Sequence, residues 1–370
     1  MSRESGVALL GPNCTGVYSP AQGMQTTDGQ PVGEAGPVGY LSQSGTHAGY
    51  FGKALFAWYG LRVARGISFG NAAALDAADW MEYIGGDDGV EVVGAYLEGI
   101  GDREAGDYER FVQAVRRVAA KKPVVIWKGG NTEDGARVTG LHTGAKRVTA
   151  AEWEWILRAS GAIGVDTMEA LVDTTAALVR LPELRGPRGG VIVLTGGQGI
   201  AVTDSLARRG LRVPALTERS VAELATFFST IGGSFQNPLD AAYAMESPAM
   251  LDRELGILEG DEHLDFTVMD LFAHVMPVRR LTNAYGMGEH HRKESPKVEG
   301  QTFLDVMAAH AKGGAKPFFT IVTAAERERE ALDLRDLLKE RGVLAFPSAE
   351  RAAVAYERAL AYWTARRARG

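Results

Sequence analysis

The 370-residue chain has little cysteine, no long apolar run and no strong excess of charge of one sign. Its single cysteine, Cys14, can form no internal disulfide and no zinc cluster. No apolar stretch approaches the ~18 residues of a membrane-spanning helix, and the first residues lack the basic start and apolar core of a signal peptide. The 40 basic and 46 acidic residues are interspersed, which disfavours a nucleic-acid groove. We therefore expect a cytoplasmic protein that binds neither nucleic acid nor membrane and holds no metal.

Nucleotide-binding fingerprints are also missing. The chain has no G-x-x-x-x-G-K-[ST] motif, and Gly197-Gln198-Gly199 lacks the third glycine of the dinucleotide motif. Glycine itself is abundant, with 46 residues in 370 against about 7% in an average protein. This surplus predicts many tight turns, or loops in which the backbone approaches a ligand.

Apolar strands alternate with helical patterns of 10–15 residues along most of the chain, which is typical of parallel sheets covered on both faces. A Gly/Pro/Arg-rich segment at residues 184–190 separates two such series and predicts a linker. The fold class is therefore α/β, with doubly wound domains at residues 37–183 and 191–370. Residues 1–36 are too few for a domain of their own.

Two glycine-containing turns, at residues 42–46 and 195–199, each lie between a predicted strand and a predicted helix. Glycines let the backbone come close to a ligand, and the following helix directs its free N–H groups and positive dipole end there. Such a terminus favours an anion by about 0.3–1 kcal/mol when exposed. One turn per domain favours an anion site at the domain junction over the alternative that each glycine turn merely ends a strand.

Ser44 raises the possibility of a serine hydrolase. A nucleophile elbow requires G-x-S-x-G, but Ser42 stands where the first glycine would be. We therefore favour Ser42 and Ser44 as phosphate-binding hydroxyls.

His142 and Glu98 are candidate catalytic residues. His142 lies in a small-residue segment, 137–145, that we interpret as a loop. Glu98 follows the predicted strand 90–97, where a carboxylate can orient an imidazole and fix its tautomer. The alternatives are a surface histidine, and a carboxylate that caps a helix or forms a salt bridge.

Seven motifs in one order carry a family resemblance: Gly11-Pro12-Asn13-Cys14, Leu41-Ser42-Gln43-Ser44-Gly45, Ser68-Phe69-Gly70-Asn71 with Asp76, Tyr96-Leu97-Glu98-Gly99-Ile100, His142-Thr143-Gly144-Ala145, Thr195-Gly196-Gly197-Gln198-Gly199 with Asp204, and Asn237-Pro238-Leu239-Asp240. Together they resemble the NDP-forming (ADP-forming) acyl-CoA synthetase superfamily, including the α subunits of succinyl-CoA and acetyl-CoA synthetases.

The resemblance implies two flavodoxin-like domains and a site in which His142 is phosphorylated and Glu98 hydrogen-bonds its ring. It implies that residues 1–36 are a linker or the remnant of a CoA-binding domain that is otherwise missing, and that Asn13 and Cys14 lie near CoA or the acyl group. The residues implied to hold phosphate are Ser42, Ser44, Gly45, Thr46, Gly196, Gly197, Gln198 and Gly199.

The chain departs from the family pattern in lacking most of the CoA-binding domain and the ATP-grasp module. The loop after His142 also continues with Lys146 and Arg147 where small residues are common. The resemblance therefore implies the phosphohistidine-carrying component of an acid–CoA ligase that acts with a separate ATP-grasp subunit. Expected substrates are CoA, phosphate and ATP or ADP with Mg, and we expect no tightly bound cofactor. A homo- or hetero-oligomer, with a separate CoA-binding domain as a further partner, fits this assignment. The alternative is a non-catalytic scaffold or regulatory subunit derived from the same family.

Overall fold

The computed structural model describes residues 8–100, 107–143, 148–228, 234–241, 247–271 and 301–369, with backbone only at 107 and 141–143. The chain divides into two compact units. Unit 1 runs up to Val179 and takes in the chain from Thr364 onward, and unit 2 is Arg180–Trp363. Each unit contains one sheet.

Unit 1 alternates strands and helices from β2 onward. Its elements are β1 (Gly16–Tyr18), a short 3-10 helix (Pro20–Gln22), β2 (Val38–Ser42), α1 (Gly45–Tyr59), β3 (Val63–Ser68), α2 (Ala77–Gly85), β4 (Val92–Leu97), α3 (Asp107–Ala119), β5 (Val124–Lys128), α4 (Glu133–Thr143), α5 (Ala150–Ser160), β6 (Ile163–Val165) and α6 (Met168–Arg180).

The six strands of unit 1 lie in the order β1-β3-β2-β4-β5-β6. All neighbouring pairs are parallel except β1–β3, which is antiparallel. The five parallel strands follow the flavodoxin order, in which the direction of winding reverses between the first strand, β2, and the third, β4. Strand β4 is buried along its whole length, as expected for a central strand covered on both faces.

Unit 2 repeats this plan. Its elements are β7 (Gly189–Val193), α7 (Gly196–Ala207), α8 (Glu218–Leu224), β8 (Leu239–Asp240), α9 (Pro248–Gly260), β9 (Phe266–Asp270), α10 (Phe303–Gly313), β10 (Phe318–Ile321), α11 (Glu328–Glu340), β11 (Ala345–Phe346) and α12 (Ala349–Ala368). Its strand order, β11-β10-β9-β7-β8, is again that of flavodoxin, and every pairing is parallel. The predicted fold class, two doubly wound flavodoxin-like units with mostly parallel sheets, is confirmed.

Residues 8–36 are part of unit 1. The antiparallel strand β1 covers the outer edge of β3, with Gly16 opposite Ser68. Tyr18 is buried, and its hydroxyl donates to the Pro31 carbonyl at 2.5 Å. This segment therefore supplies an edge strand and core residues of unit 1, in addition to its implied origin in a CoA-binding domain.

The chain at residues 184–190 is folded into unit 2, where it contributes buried residues, part of β7 and an ion pair. Leu184 is fully buried, and Gly189 already belongs to β7. The Arg188 guanidinium pairs with the Asp265 carboxylate at 2.8 Å, and its backbone N–H donates to the same side chain at 2.9 Å. The two units divide between Val179 and Arg180, ahead of the segment that its composition marked as a linker.

The interpretation of residues 137–145 as a loop is wrong for the part that the structure describes. Helix α4 runs through Thr143, so His142 lies in its last helical turn. The helix begins after Thr132, whose hydroxyl accepts the N–H of Gly135 at 3.1 Å. Two acidic residues in the first turn also favour a helix, and the glycines of this segment concealed it. Gly144 and Ala145 lie outside the described residues.

Candidate functional site

The reversal of winding in unit 1 brings the carboxyl ends of β2 and β4 side by side, which is where open α/β sheets bind their ligands. Strand β2 ends at Ser42 and leads through a two-residue turn into α1. Strand β4 ends at Leu97, directly before Glu98. The turn and the carboxylate that the sequence singled out thus flank one crevice.

The turn at residues 42–46 is held by its own hydroxyl groups. The buried Ser42 hydroxyl donates to the Ser44 carbonyl at 2.7 Å and accepts the Ser44 N–H at 3.1 Å. The Ser44 hydroxyl caps α1 by accepting the His47 N–H at 3.3 Å. A Cβ atom at Gly45 would lie 2.6 Å from a methyl carbon of Thr15, so glycine is required there by close packing. These bonds shape the helix N-terminus, and phosphate binding by Ser42, Ser44, Gly45 and Thr46 stays a prediction.

Glu98 is buried, with 7% of its surface exposed, and Gln43 holds its backbone. The Gln43 side-chain oxygen accepts the backbone N–H groups of Glu98 and Gly99 at 2.5 and 3.0 Å. Tyr96 lies close enough to Glu98 for the carboxylate charge to raise the pKa of its phenol. The fold therefore places a buried carboxyl group directly after β4, beside the turn that begins α1.

Three rings form an aromatic cluster beside Glu98. His47 meets Tyr96 edge-on with ring centroids 4.4 Å apart, and Trp127 lies 4.9 Å from His47 and 4.5 Å from Tyr96. Burial raises the pKa of Tyr96 strongly, and the Glu98 charge adds to the effect. Burial lowers the pKa of His47, against the opposing influence of Glu98. At neutral pH the cluster therefore presents an uncharged imidazole and a protonated phenol to the carboxylate.

The loop after β5 carries the chain from this cluster to α4. The buried Lys128 ammonium donates to the carbonyls of Gly129 and Gly130 at 3.0 and 3.2 Å, and to the Asn131 side chain at 3.2 Å. A Cβ atom at Gly129 would lie 2.6 Å from the Tyr96 hydroxyl. The loop therefore lies against Tyr96 at Gly129 and continues into the helix that contains His142. The side chain of His142 lies outside the described residues, so its predicted contact with Glu98 stays a prediction.

The Gly11–Cys14 segment docks on the turn after β3. The N–H groups of Asn71 and Ala73 donate to the carbonyls of Pro12 and Gly11 at 3.0 and 2.8 Å. Asn13 has a positive φ of 56° and donates from its side chain to that of Asn71 at 3.3 Å. Cys14 is a half-buried free thiol. Their predicted proximity to CoA or an acyl group stays a prediction.

Unit 2 has an equivalent crevice between β7 and β9. Helix α7 begins at Gly196 after Thr195, and Gly196 and Gly197 are exposed. Across from this turn, β9 ends in the buried Asp270, whose pKa is raised to about 7 by burial. An Asp270 oxygen has no hydrogen-bond partner within the part of the chain that the structure describes. The predicted phosphate contacts of Gly196, Gly197, Gln198 and Gly199 stay predictions.

Sequence reasoning gave no role of their own to four polar residues at these crevices: Gln43, Tyr96, Lys128 and Asp270. Lys128 and Asp270 each end a mostly apolar strand, a signal that could have marked them. The side-chain contacts of Gln43 and Tyr96 leave no such pattern. Across the described ranges, no three His, Cys, Asp or Glu side chains are grouped as a metal site. Nor is any helix there long and apolar enough to cross a membrane.

Part of unit 1 matches a known family of domains. Residues 35–178 match the succinyl-CoA ligase like flavodoxin domain. Over most of its length the chain is similar to ADP-forming acetate–CoA ligases, in line with the resemblance of its motifs.

Particular relatives share most of this chain. The ADP-forming acetate–CoA ligase I of Archaeoglobus fulgidus is 28% identical over 90% of this chain, but only 49% of that protein is covered. The α subunit of ADP-forming acetate–CoA ligase I from Pyrococcus furiosus is 27% identical, with 95% of this chain and 69% of the subunit covered. The chain thus spans about half the length of the Archaeoglobus relative.

A solved structure matches the whole described fold. The dinucleotide-forming acetyl-coenzyme A synthetase 1 of Ca. Korarchaeum cryptofilum, in complex with phosphate and ADP, superposes with a TM-score of 0.79. It is 25% identical in sequence, and the match covers 99% of this chain and 73% of that one.

Proposed function

We propose that this chain is the phosphohistidine-carrying component of an NDP-forming acid–CoA ligase. Its reaction would be carboxylic acid + CoA + ATP ⇌ acyl-CoA + ADP + phosphate. The observation that carries the proposal is the crevice of unit 1, where the buried Glu98 carboxylate lies beside the N-terminus of α1. The neighbouring strand β5 leads into the helix whose last turn contains His142.

The chemistry suits these residues. When Glu98 accepts the N–H of one ring nitrogen of His142, the other nitrogen keeps its lone pair and can act as a nucleophile. Phosphate would first displace CoA from acyl-CoA to give an acyl phosphate. The free ring nitrogen would attack the phosphorus of the acyl phosphate, and the carboxylate would leave with the electron pair of the broken P–O bond. A phosphate oxygen of ADP would then take the phosphoryl group and release the imidazole. In the synthetic direction the same steps run in reverse.

The glycine turns at the starts of α1 and α7 are each proposed to bind phosphate. Each helix N-terminus offers free N–H groups and a positive dipole end, which favour an anion by about 0.3–1 kcal/mol, or up to ~2 when partly buried. These groups are fixed by the fold before the phosphate arrives, so they stabilise its charge without rearrangement.

Partners and substrates follow from the same assignment. The Pyrococcus relative is named an α subunit, and the Korarchaeum structure holds phosphate and ADP. We therefore propose that nucleotide and Mg bind to a separate ATP-grasp subunit, and that a CoA-binding domain completes the ligase. Asn13 and Cys14 would lie on the side from which CoA approaches.

Labelling tests the proposal directly. We expect the chain, incubated with its ATP-grasp partner and γ-labelled ATP, or alone with labelled acetyl phosphate, to gain an acid-labile and base-stable label on His142. His142→Asn should abolish the label. His310→Asn is the matched control, because His310 lies between two carboxylates on α9 of unit 2 and should leave the label unchanged. Label that persists in His142→Asn would refute the assignment, and a wild-type chain without label would favour the scaffold alternative.

A further inference from the structure

The contacts around Glu98 link it to the turn of α1, which is expected to bind phosphate, and to the loop that leads to the helix of His142. Through Gln43 it is joined to the turn that begins α1, and through Tyr96 to the loop that leads into α4. We propose that Gln43 and Tyr96 are positioning residues that fix the Glu98 backbone and carboxylate in the orientation that receives the His142 ring. This inference rests on the proposed function.

Gln43 spans the crevice with both its backbone and its side chain. Its N–H donates to the Tyr96 carbonyl at 3.1 Å, while its side-chain oxygen accepts two successive N–H groups, those of Glu98 and Gly99. Because Gln43 lies between Ser42, the last residue of β2, and Ser44, the cap of α1, the turn and Glu98 cannot move independently. Gln43 therefore sets the distance between the predicted phosphate turn and the carboxylate.

Tyr96 lies next to the carboxylate itself. Its ring packs against His47 and Trp127, which also contact each other, and its hydroxyl lies against the Gly129 backbone. In the arrangement that we propose, this hydroxyl donates to the neighbouring Glu98 carboxylate, and a bond to a charged acceptor is about twice as strong as a neutral one. Such a bond would restrict rotation of the carboxylate. Groups that orient a ligating or reacting side chain in this way typically change its performance by about 10–100-fold.

The first test needs no catalysis. In protein labelled with ¹³C at the ζ carbon of tyrosine, Tyr96→Phe identifies the Tyr96 resonance among the 11 tyrosines. Glu98→Gln should shift that resonance, because the charged acceptor is lost. Gln43→Ala should speed hydrogen exchange of the Glu98 and Gly99 amides at least tenfold while distant amides keep their rates. An unmoved Tyr96 resonance, or unchanged exchange at both amides, would overturn the positioning contacts whether or not the chain is phosphorylated.

The second test measures the rate of His142 labelling by acetyl phosphate. We expect Tyr96→Phe to lower the rate constant about tenfold with little change in the half-saturating acetyl phosphate concentration. It should have no further effect in the Glu98→Gln background, because Tyr96 acts through that carboxylate. Tyr83→Phe, at an exposed tyrosine, is the matched control.

Multiplicative losses in the double variant would show a merely structural role for Tyr96 and overturn the proposal. A wild-type chain that takes no label would instead contradict the proposed function and leave the spectroscopic test to decide the positioning contacts.

Discussion

Glu254 should make the stability of unit 2 depend on pH, because its carboxyl group is buried in an apolar environment. It lies on α9 with no exposed surface, among leucines of the unit 2 core. Neither of its carboxyl oxygens has a hydrogen-bond partner within the described ranges. Burial without a partner penalises the charged form, and it raises the pKa of Glu254 from 4.5 to about 8.

The sign and size of the effect follow from linkage. Between pH 4.5 and 8 the native state keeps a proton that the unfolded state has released, so the free energy of unfolding falls as the pH rises. At about 1.36 kcal/mol per pH unit, the full loss above pH 8 amounts to roughly 3–5 kcal/mol. Glu254→Gln keeps the shape of the side chain and cannot ionise. It should therefore match the wild type within about 1 kcal/mol at pH 5 and exceed its stability by roughly 3–5 kcal/mol at pH 9.

Urea titrations at pH 5 and pH 9 measure this difference. Five of the six tryptophans belong to unit 1, and only Trp363 lies in unit 2. A transition seen by circular dichroism with little change in fluorescence therefore reports on unit 2. Glu223→Gln, at an exposed position on α8, is the control and should follow the wild type. If the wild type and Glu254→Gln lose the same unfolding free energy between pH 5 and pH 9, the reasoning is refuted.

Three further changes have outcomes that the structure predicts. Gly129→Ala places a Cβ atom 2.6 Å from the confined Tyr96 hydroxyl, so urea titration should show a loss of about 1–3 kcal/mol. Gly140→Ala, at an exposed position of α4 where a Cβ meets nothing within 4 Å, should instead gain about 0.5–1 kcal/mol, and the reverse ranking would contradict the packing. His310 hydrogen-bonds the Glu259 carboxylate at 2.6 Å, which raises the pKa of His310. This stabilisation is complete below pH 6.5 and is lost as the pH rises through the folded-state pKa of His310. His310→Gln should therefore lower the free energy of unfolding by about 1–3 kcal/mol at pH 5 and by less at pH 9 in the same titrations. Equal losses at the two pH values would refute the ionic contribution.

Local patterns in the sequence were enough to predict the fold class. Parallel strands buried on both faces must be apolar throughout, and the crossover between them must be a helix, so the alternation is visible without any structure. The same reasoning located the turn at residues 42–46 and the carboxylate of Glu98, because both stand where an apolar strand ends. The bare residues left His142 as a candidate beside the alternative of a surface histidine, and the resemblance supplied its predicted role.

Other features depended on contacts between residues far apart in the chain. Composition marked residues 184–190 as a linker, but Arg188 pairs with Asp265, a residue 77 positions away. The glycines of α4 argued against a helix, but the Thr132 cap and two acidic residues in the first turn favour one. At residues 184–190 tertiary packing outweighed local preference, which differs between conformations by only about 1 kcal/mol per residue.

The sequence by itself determined the alternation of strands and helices and the two glycine turns, because strand burial and helix termini each produce a local sequence pattern. Only the tertiary structure decided that Gln43 holds the Glu98 backbone. That contact forms where the winding of the sheet reverses between β2 and β4, which brings together residues about 55 positions apart. A local sequence pattern cannot predict such a contact, because the contact depends on the order of the strands in the sheet.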